Sequence, residues 1–192
     1  MPIVGMDYGH LRTDDERDRL VAILVAALKF CGYTYAAVCA CKGPKDDLAV
    51  AGVCRFLIEA GCAGLLRLRT DQEPSIEAVA QRVAALRSPA RTILETTPVG
   101  SSSSLGSAER KVSSIGGQVR VLRLAFEEQW HVKVLAISPV FKYIVRHAAW
   151  LLNRFQPTRG QTPYMKVYKH EYRGEVCNFG EPVMLRVSDL KD

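Results

Sequence analysis

The order of helix and strand patterns between residues 20 and 98 is the feature that most constrains this fold. Leu20–Leu28, LVAILVAAL, fits a buried strand or an Ala-rich helix, and the Gly32 turn with the β-favouring residues 33–41 after it favours strands. Helix, strand, helix and strand patterns follow at 45–60, 63–71, 73–88 and 90–98. With a short strand at 2–8 that ends near Asp7, the chain predicts an α/β domain with a five-stranded mixed sheet and flanking helices.

A Ser/Gly-rich segment follows the last of these strands. Residues 98–111, PVGSSSSLGSAERK, have the composition of a flexible loop. Apolar residues spaced three and four apart then predict a long helix from Glu109 to about Trp130. One flank of that helix carries Glu109, Ser113, Gly116, Arg120 and Arg123. A second amphipathic helix is predicted over Pro139–Phe155, and the tail after it is predicted to be extended, with a strand at 183–187.

Positive charge is concentrated in the second half of the chain. Residues 1–109 carry twelve Lys/Arg against thirteen Asp/Glu, whereas residues 110–174 carry twelve against three. Such a basic segment is typical of proteins that bind a polyanion, because phosphate neutralisation supplies most of the affinity for nucleic acid. A solvated basic surface without a partner is the alternative interpretation.

Composition and motifs disfavour several other classes of protein. The apolar run Leu20–Leu28 is well short of the about 20 residues that cross a bilayer. The N-terminus, MPIVGMDYGH, has no basic lead and no long apolar stretch, so we expect an intracellular protein, nuclear if it functions on DNA. The six cysteines lie mostly inside apolar segments, and neither they nor the four scattered histidines show zinc-binding spacing, so we expect reduced core thiols rather than a zinc site. No GxGxxG, P-loop or GxSxG motif lies between a strand and a helix, which disfavours a small-molecule α/β enzyme.

Three carboxylates stand at the ends of predicted elements: Asp7 by the first strand, Asp71 after the fourth, and Glu109 at the head of the long helix. Mg²⁺ prefers oxygen ligands and takes few from the protein, so such a set can hold two divalent ions. Spacing is weak support, since 20 acidic residues offer many such triples. Asp71 and Glu109 also fit ordinary helix-start residues, and Asp7 fits an ordinary turn residue. Three other aspartates, in a hydrophilic run, compete for the first position: Asp14, Asp15 and Asp18.

Four segments, in this order and at these intervals, resemble a known family. They are LRLRTDQEP, TTPVGSSSSLGSAER, RHAAWLLNRF and RGQTPYMKVYKHEYRGEVCNFGE. Together they are similar to the integrase catalytic core of copia-type retrotransposon (retrovirus-related) Pol polyproteins, over a span from about Met6 to Val187. The most specific part is the combination of TDQEP, a Gly-x-x-Glu after the Ser/Gly loop, and Gly-x-Thr-Pro-Tyr near the end.

The resemblance implies a ribonuclease-H-like fold and DNA integration by a polynucleotidyl transferase that uses Mg²⁺ or Mn²⁺. It implies 3′-end processing and strand transfer on element ends and target DNA, carried out by a homo-oligomer. It makes Asp7, Asp71 and Glu109 the catalytic metal ligands. An active-site loop would contain Gly100, Ser101, Ser104 and Gly106. DNA would be held by Arg110, Lys111, Ser113, Arg120 and Arg123.

The same resemblance divides the chain into a catalytic core at 1–158 and an extended tail at 159–192, and suggests a fragment or remnant of a polyprotein. Ser113 and Gly116 stand where such enzymes often carry basic or amide side chains. Two alternatives therefore stay open. One is a nucleic-acid-binding domain of the same origin that no longer cleaves, and the other is a ribonuclease H-type nuclease.

Overall fold

The computed structural model describes residues 1–12, 20–97 and 102–184, and for residues 102–109 the description is limited to the backbone. Within these ranges the chain forms five strands and five helices. The strands are β1 Ile3–Arg12, β2 Leu20–Leu28, β3 Thr34–Val38, β4 Leu66–Thr70 and β5 Thr92–Thr96. The helices are α1 Asp47–Glu59, α2 Pro74–Leu86, α3 Ser102–Trp130, α4 Pro139–Phe155 and α5 Pro163–Tyr168. None of the described helices is long and apolar enough to cross a membrane.

The strands form one mixed sheet in the order β3-β2-β1-β4-β5. Pairs β1–β2 and β2–β3 are antiparallel, whereas β1–β4 and β4–β5 are parallel. Parallel neighbours need a crossover connection, and α1 and α2 lie in the connections that lead to β4 and β5. The predicted five-stranded mixed sheet with flanking helices is therefore confirmed.

Two cores cover the two faces of this sheet. Alternate residues of a strand lie on opposite faces, and Val4, Met6 and Tyr8 of β1 pack with α1 and α2. Leu11, on the other face, packs with α3 and α4. Asp7 lies between two residues of the first core, so it belongs to the face that α3 covers.

Strand β1 is longer than predicted, since it reaches Arg12 rather than ending near Asp7. Its second half pairs with β2 without interruption, from Asp7 opposite Val25 to Arg12 opposite Leu20. Leu11 is buried there, and its neighbour His10 is exposed. One buried residue among polar neighbours is a weak strand signal, so the hydrogen-bonding partner rather than the local pattern extends β1.

Helix α3 begins at Ser102, seven residues before the predicted start at Glu109. Ser104 and Gly106, predicted in the active-site loop, therefore belong to a helix, and Gly100 and Ser101 lie outside the described residues. Serine and glycine disfavour helix only by up to about 1 kcal/mol each. Once the later turns are held by tertiary packing, adding turns at the N-terminus avoids the cost of nucleation.

The tail contains a helix where an extended arm was predicted. Thr162 caps α5 by accepting a hydrogen bond from the Met165 amide at 3.1 Å, and Pro163 occupies the first turn. The Tyr168 hydroxyl donates to the Glu59 carbonyl at 2.8 Å, which ties α5 to α1. Residues 183 and 184 form no strand, and residues 185–187 lie outside the described part.

Candidate active site

Asp7 of β1 and Asp71, the residue after β4, lie just beyond the parallel pairing of these two neighbouring strands. The β1–β4 register pairs Ile3 with Arg67 and Gly5 with Arg69. Continued by two residues, the same register places Asp7 level with Asp71, the residue that follows β4. Neighbouring strands are about 4.8 Å apart. The structure thus brings together two of the three predicted metal ligands, and both are half-buried.

Helix α3 crosses β1 close to this pair. Gly9 lies two residues beyond Asp7 on the same face, and a Cβ added to Gly9 would stand 2.6 Å from Val112 Cγ2. Real Cβ atoms essentially never come that close to another atom, so the helix can sit this near the sheet because residue 9 has no side chain. Gly9 therefore sets the height of α3 above the strand that carries Asp7.

Glu109, the third predicted ligand, belongs to α3 and precedes Val112 by three residues. That separation is about 4.5 Å along the helix axis at 1.5 Å per residue. Its side chain is outside the described part of the structure, so its role as a ligand stays a prediction. The next two residues, Arg110 and Lys111, line the same cavity as Asp7 and Asp71.

This cavity, which we call the aspartate cavity, has a volume of about 700 Å³. Gly5 and Ala27 line it, and a Cβ added to Gly5 would meet nothing within 4 Å, so the space over β1 is open. Helix α3 contributes to one part of the lining, and residues 156–159 with Lys166 contribute to another. Its cationic lining residues are Lys29, Arg69, Arg110, Lys111, Arg159 and Lys166.

Backbone amides orient both carboxylates. Asp7 Oδ1 accepts a hydrogen bond from the Tyr8 amide at 2.7 Å, and Asp71 Oδ1 accepts one from the Glu73 amide at 3.2 Å. Two carboxylates in one cavity fit a hard cation such as Mg²⁺, which takes one or two protein carboxylates and keeps several waters. Among the side chains that the structure describes, no group of three Asp, Glu, His or Cys could hold a metal ion. A metal site with three protein ligands in this cavity therefore requires a residue whose side chain is not described, such as Glu109.

No protein-family model and no curated protein sequence matches this chain. Solved structures do. The catalytic core domain of HTLV-2 integrase in complex with magnesium, in its trimeric form, has a TM-score of 0.61 at 15% identity, over 86% of this chain and 94% of that one. The catalytic core domain of BIV integrase has a TM-score of 0.56 at 17% identity, over 87% and 93%. A simian T-cell lymphotropic virus intasome in complex with PP2A regulatory subunit B56 gamma has a TM-score of 0.60 at 16% identity, over 96% of this chain and 60% of that one.

This chain has the fold of a retroviral integrase catalytic core. The ribonuclease-H-like fold predicted from the sequence is confirmed by that likeness. The copia-type resemblance is a finer statement and stays a prediction.

Within the integrase-like fold, the predicted DNA-contacting residues fall in two places. Arg110 and Lys111 line the aspartate cavity, whereas Ser113, Arg120 and Arg123 line a separate groove of about 630 Å³ along α3. Ser113 and Arg120 are exposed there.

Arg123 differs from its neighbours because it is only 9% exposed. Its Nε donates to Glu127 Oε1 at 2.9 Å, and the same oxygen accepts a hydrogen bond from the Val134 amide at 2.8 Å. This arrangement favours a structural role for the Arg123 guanidinium, which links α3 to the segment that precedes α4.

The remaining predicted candidates differ in what the structure says of them. Asp14, Asp15 and Asp18, the competitors for the first ligand position, lie in residues 13–19, outside the described part. The six cysteines are unpaired. Burial, with the Asp46 carboxylate nearby, raises the pKa of the Cys39 thiol to about 12, so that thiol is protonated at neutral pH and is a poor nucleophile.

Sequence reasoning missed four of the cationic cavity residues, and two of them, Arg159 and Lys166, come from the C-terminal segment. Both lie in the segment that was predicted to be an extended tail, but α5 folds back and lines the aspartate cavity. Two signals could have found them. One is the excess of positive charge over residues 110–174, and the other is the Thr162-Pro163 helix start.

Proposed function

We propose that this chain is the catalytic core of a copia-type retrotransposon integrase, which processes the 3′ ends of element DNA and joins them to target DNA. The observation that carries the proposal is the level placement of Asp7 and Asp71 on parallel β1 and β4, in one cavity with the first described side chains of α3. The copia-type origin rests on the four sequence segments and on the Gly-x-Thr-Pro-Tyr motif at 160–164.

Asp7, Asp71 and Glu109 are the residues that would hold Mg²⁺ or Mn²⁺. The HTLV-2 integrase core contains magnesium, and the paired carboxylates of the present chain have the donor chemistry that such an ion needs. A divalent ion at this position supplies positive charge that polarises phosphoryl oxygens and activates a water or a 3′ hydroxyl.

The chain itself contributes position and electrostatics. Arg110 and Lys111 line the same cavity as the carboxylates and would attract the phosphodiester backbone into it. Two small residues, Gly5 and Ala27, line the space where a DNA strand would lie. The proposed transfer needs no protein nucleophile, since the attacking oxygen comes from water or from the DNA end.

We infer that the active form is a homo-oligomer located in the nucleus. The HTLV-2 cores are dimeric and trimeric, and the simian virus protein is part of an intasome. Joining two element ends to one target requires that at least two catalytic sites be held together. This inference is tested by the mass of the protein, alone and with DNA ends, in light scattering.

The test of the activity is Mn²⁺-dependent nicking and strand transfer on an end-labelled duplex. We expect products from the parent chain and none from Asp71→Asn or Glu109→Gln. Asp47→Asn and Glu128→Gln are the matched controls, because both carboxylates are exposed and outside the aspartate cavity. Products that persist in Asp71→Asn would exclude this carboxylate site.

Two outcomes of the same assay correspond to the alternatives. Cleavage of an RNA:DNA hybrid but not of duplex DNA would show a ribonuclease H-type nuclease. Salt-sensitive duplex binding without any metal-dependent product would show a nucleic-acid-binding domain that does not cleave, an outcome consistent with the neutral Ser113 and Gly116 on α3.

A further inference from the structure

The aspartate cavity contains a cluster of positive charge away from its carboxylates. The Lys111 side chain extends from α3 to the β2–β3 turn, where its Nζ would stand 3.0 Å from a Cβ added to Gly32. Lys166 of α5 and Arg159 of the α4–α5 connection line the same cavity. Lys166 Nζ donates to the Thr158 carbonyl at 3.3 Å, a bond that holds the ammonium group near the turn that carries Arg159.

These three cations have no ion-pair partner among the described side chains. In the described part of the chain, no carboxylate forms an ion pair with Lys111, Arg159 or Lys166. Lys111 and Lys166 are each half-buried, so their charges are screened less than those of fully exposed lysines. Unneutralised like charges within one concave site create a strong local potential that favours an anion.

Arg159 has a backbone conformation that is unfavourable for a residue with a long side chain. Arg159 and Gly160 have φ values of 55° and 78°, in a turn closed by the Thr158 amide, which donates to the Gln161 carbonyl at 2.9 Å. Two successive positive φ values favour Asn and Gly, so a long side chain at the first position is strained. Strained residues of this kind are concentrated at functional sites.

We propose that Lys111, Arg159 and Lys166 form a subsite for a backbone phosphate of the bound DNA strand, on the part of the cavity formed by α3, α5 and the turn between α4 and α5. The subsite rests on the proposed function for its ligand, and it is not part of the carboxylate site. The subsite fixes the path of the DNA strand past Asp7. It also makes the C-terminal segment a part of the DNA-binding surface. The chemistry recognised is a phosphodiester anion, which three cations lining one cavity would bind without reading the base.

The experiment measures affinity for a fluorescently labelled duplex in EDTA, so that neither metal nor catalysis is needed. The dissociation constant is followed between about 50 and 200 mM salt, because each phosphate contact contributes about 0.9 to the slope of log K against log salt. We expect the double variant Arg159→Gly with Lys166→Gln to lower that slope by about 0.9, the contribution of one phosphate, and each single variant to lower it by part of that amount. Binding should weaken about threefold in the double variant at the lower salt. Lys142→Gln, an exposed lysine of α4 outside the cavity, should leave the slope unchanged.

Arg159→Gly also separates binding from folding. Glycine relieves the positive φ at position 159, so this variant should be at least as stable as the parent in thermal unfolding while it binds DNA more weakly. Equal salt slopes for Arg159→Gly, Lys166→Gln and the parent would overturn the subsite. The subsite would also be overturned if the parent chain does not bind the duplex. Inorganic phosphate is a second probe: variants that lose affinity for it but bind the duplex as the parent does would overturn the subsite too. If the variants change the salt slope as expected but the parent shows no metal-dependent nicking, the proposed activity is wrong and the subsite still stands.

Discussion

Asn153 of α4 forms two hydrogen bonds with the backbone of Thr34 on the edge strand β3. Its Nδ2 donates to the Thr34 carbonyl at 2.7 Å, and its Oδ1 accepts from the Thr34 amide at 2.8 Å. Both residues are buried. The side-chain amide thus provides the donor and the acceptor that another strand would offer at this position, and it protects part of an open sheet edge.

Asn153→Ala should destabilise the fold by about 2–4 kcal/mol, because it leaves a buried backbone amide and carbonyl of Thr34 without a partner. Urea unfolding measures the change, with Gln156→Ala as the control, since Gln156 is exposed at the end of the same helix. The variant should also aggregate more readily through β3. A midpoint equal to that of the parent would show that water replaces both hydrogen bonds.

Gly9→Ala should destabilise the chain by about 1–3 kcal/mol, since the new Cβ would overlap Val112 of α3. The double variant with Val112→Ala should recover part of this loss. Gly5→Ala on the same strand is the matched control, because a Cβ there meets nothing; it should be neutral or stabilising by up to about 1 kcal/mol. Equal losses for the two glycine substitutions would contradict the close approach of α3 to β1.

Glu127→Ala should cost about 3 kcal/mol, because the carboxylate accepts hydrogen bonds from both the Arg123 side chain and the Val134 amide in a nearly buried site. Glu127→Gln keeps an acceptor for the amide and should cost less. Glu128→Gln, an exposed neighbour on α3, should have no effect beyond about 0.5 kcal/mol. If the costs of Glu127→Ala and Glu128→Gln are the same, Arg123 does not depend on this pair and is available for DNA.

Stability should fall as the pH is lowered from 7 to 5, in part through His147. Burial, and secondarily the nearby Arg154, lowers the pKa of His147 below its usual value of 6.5. The unfolded chain therefore binds this proton more readily than the folded one, so stability is complete above about pH 7 and is lost as the pH falls through 6.5 towards the folded pKa. His147→Gln should flatten the pH dependence of the melting temperature in this window; an unchanged slope would assign it to other groups.

Local patterns predicted the elements of this fold better than their contacts. Helix α4 has its predicted bounds because Ser138 caps it and Pro139 starts it. The apolar side chain of Leu48, in the first turn of α1, is nevertheless 85% exposed. The sequence patterns predicted that β1 and β4 are strands of one sheet. Their register, which sets Asp7 level with Asp71, depends on long-range packing that no periodicity reports.

The C-terminal tail is a second case in which long-range contacts, and not the local pattern, determine the structure. Its charge was visible in the sequence, but the position of α5 depends on packing against α4 and on a hydrogen bond to Glu59 of α1, which lies 109 residues earlier in the chain. Aromatic packing supports that position: Arg154 lies 4.2 Å from the Trp150 ring centre and 5.0 Å from that of Tyr172. A pattern of turn residues predicted an extended arm because it carried no information about these partners.

The aspartate cavity has lining residues on both sides of position 158, where the predicted catalytic core ends. A polypeptide cut at that point would keep every described strand and both aspartates, yet the cavity would open to bulk water on the side that Arg159 and Lys166 now line. Charges in water attract each other far more weakly than charges in a sheltered cleft. A chain that ended at residue 158 would therefore keep both carboxylates and lose Arg159 and Lys166, two of the six described cations that line their cavity.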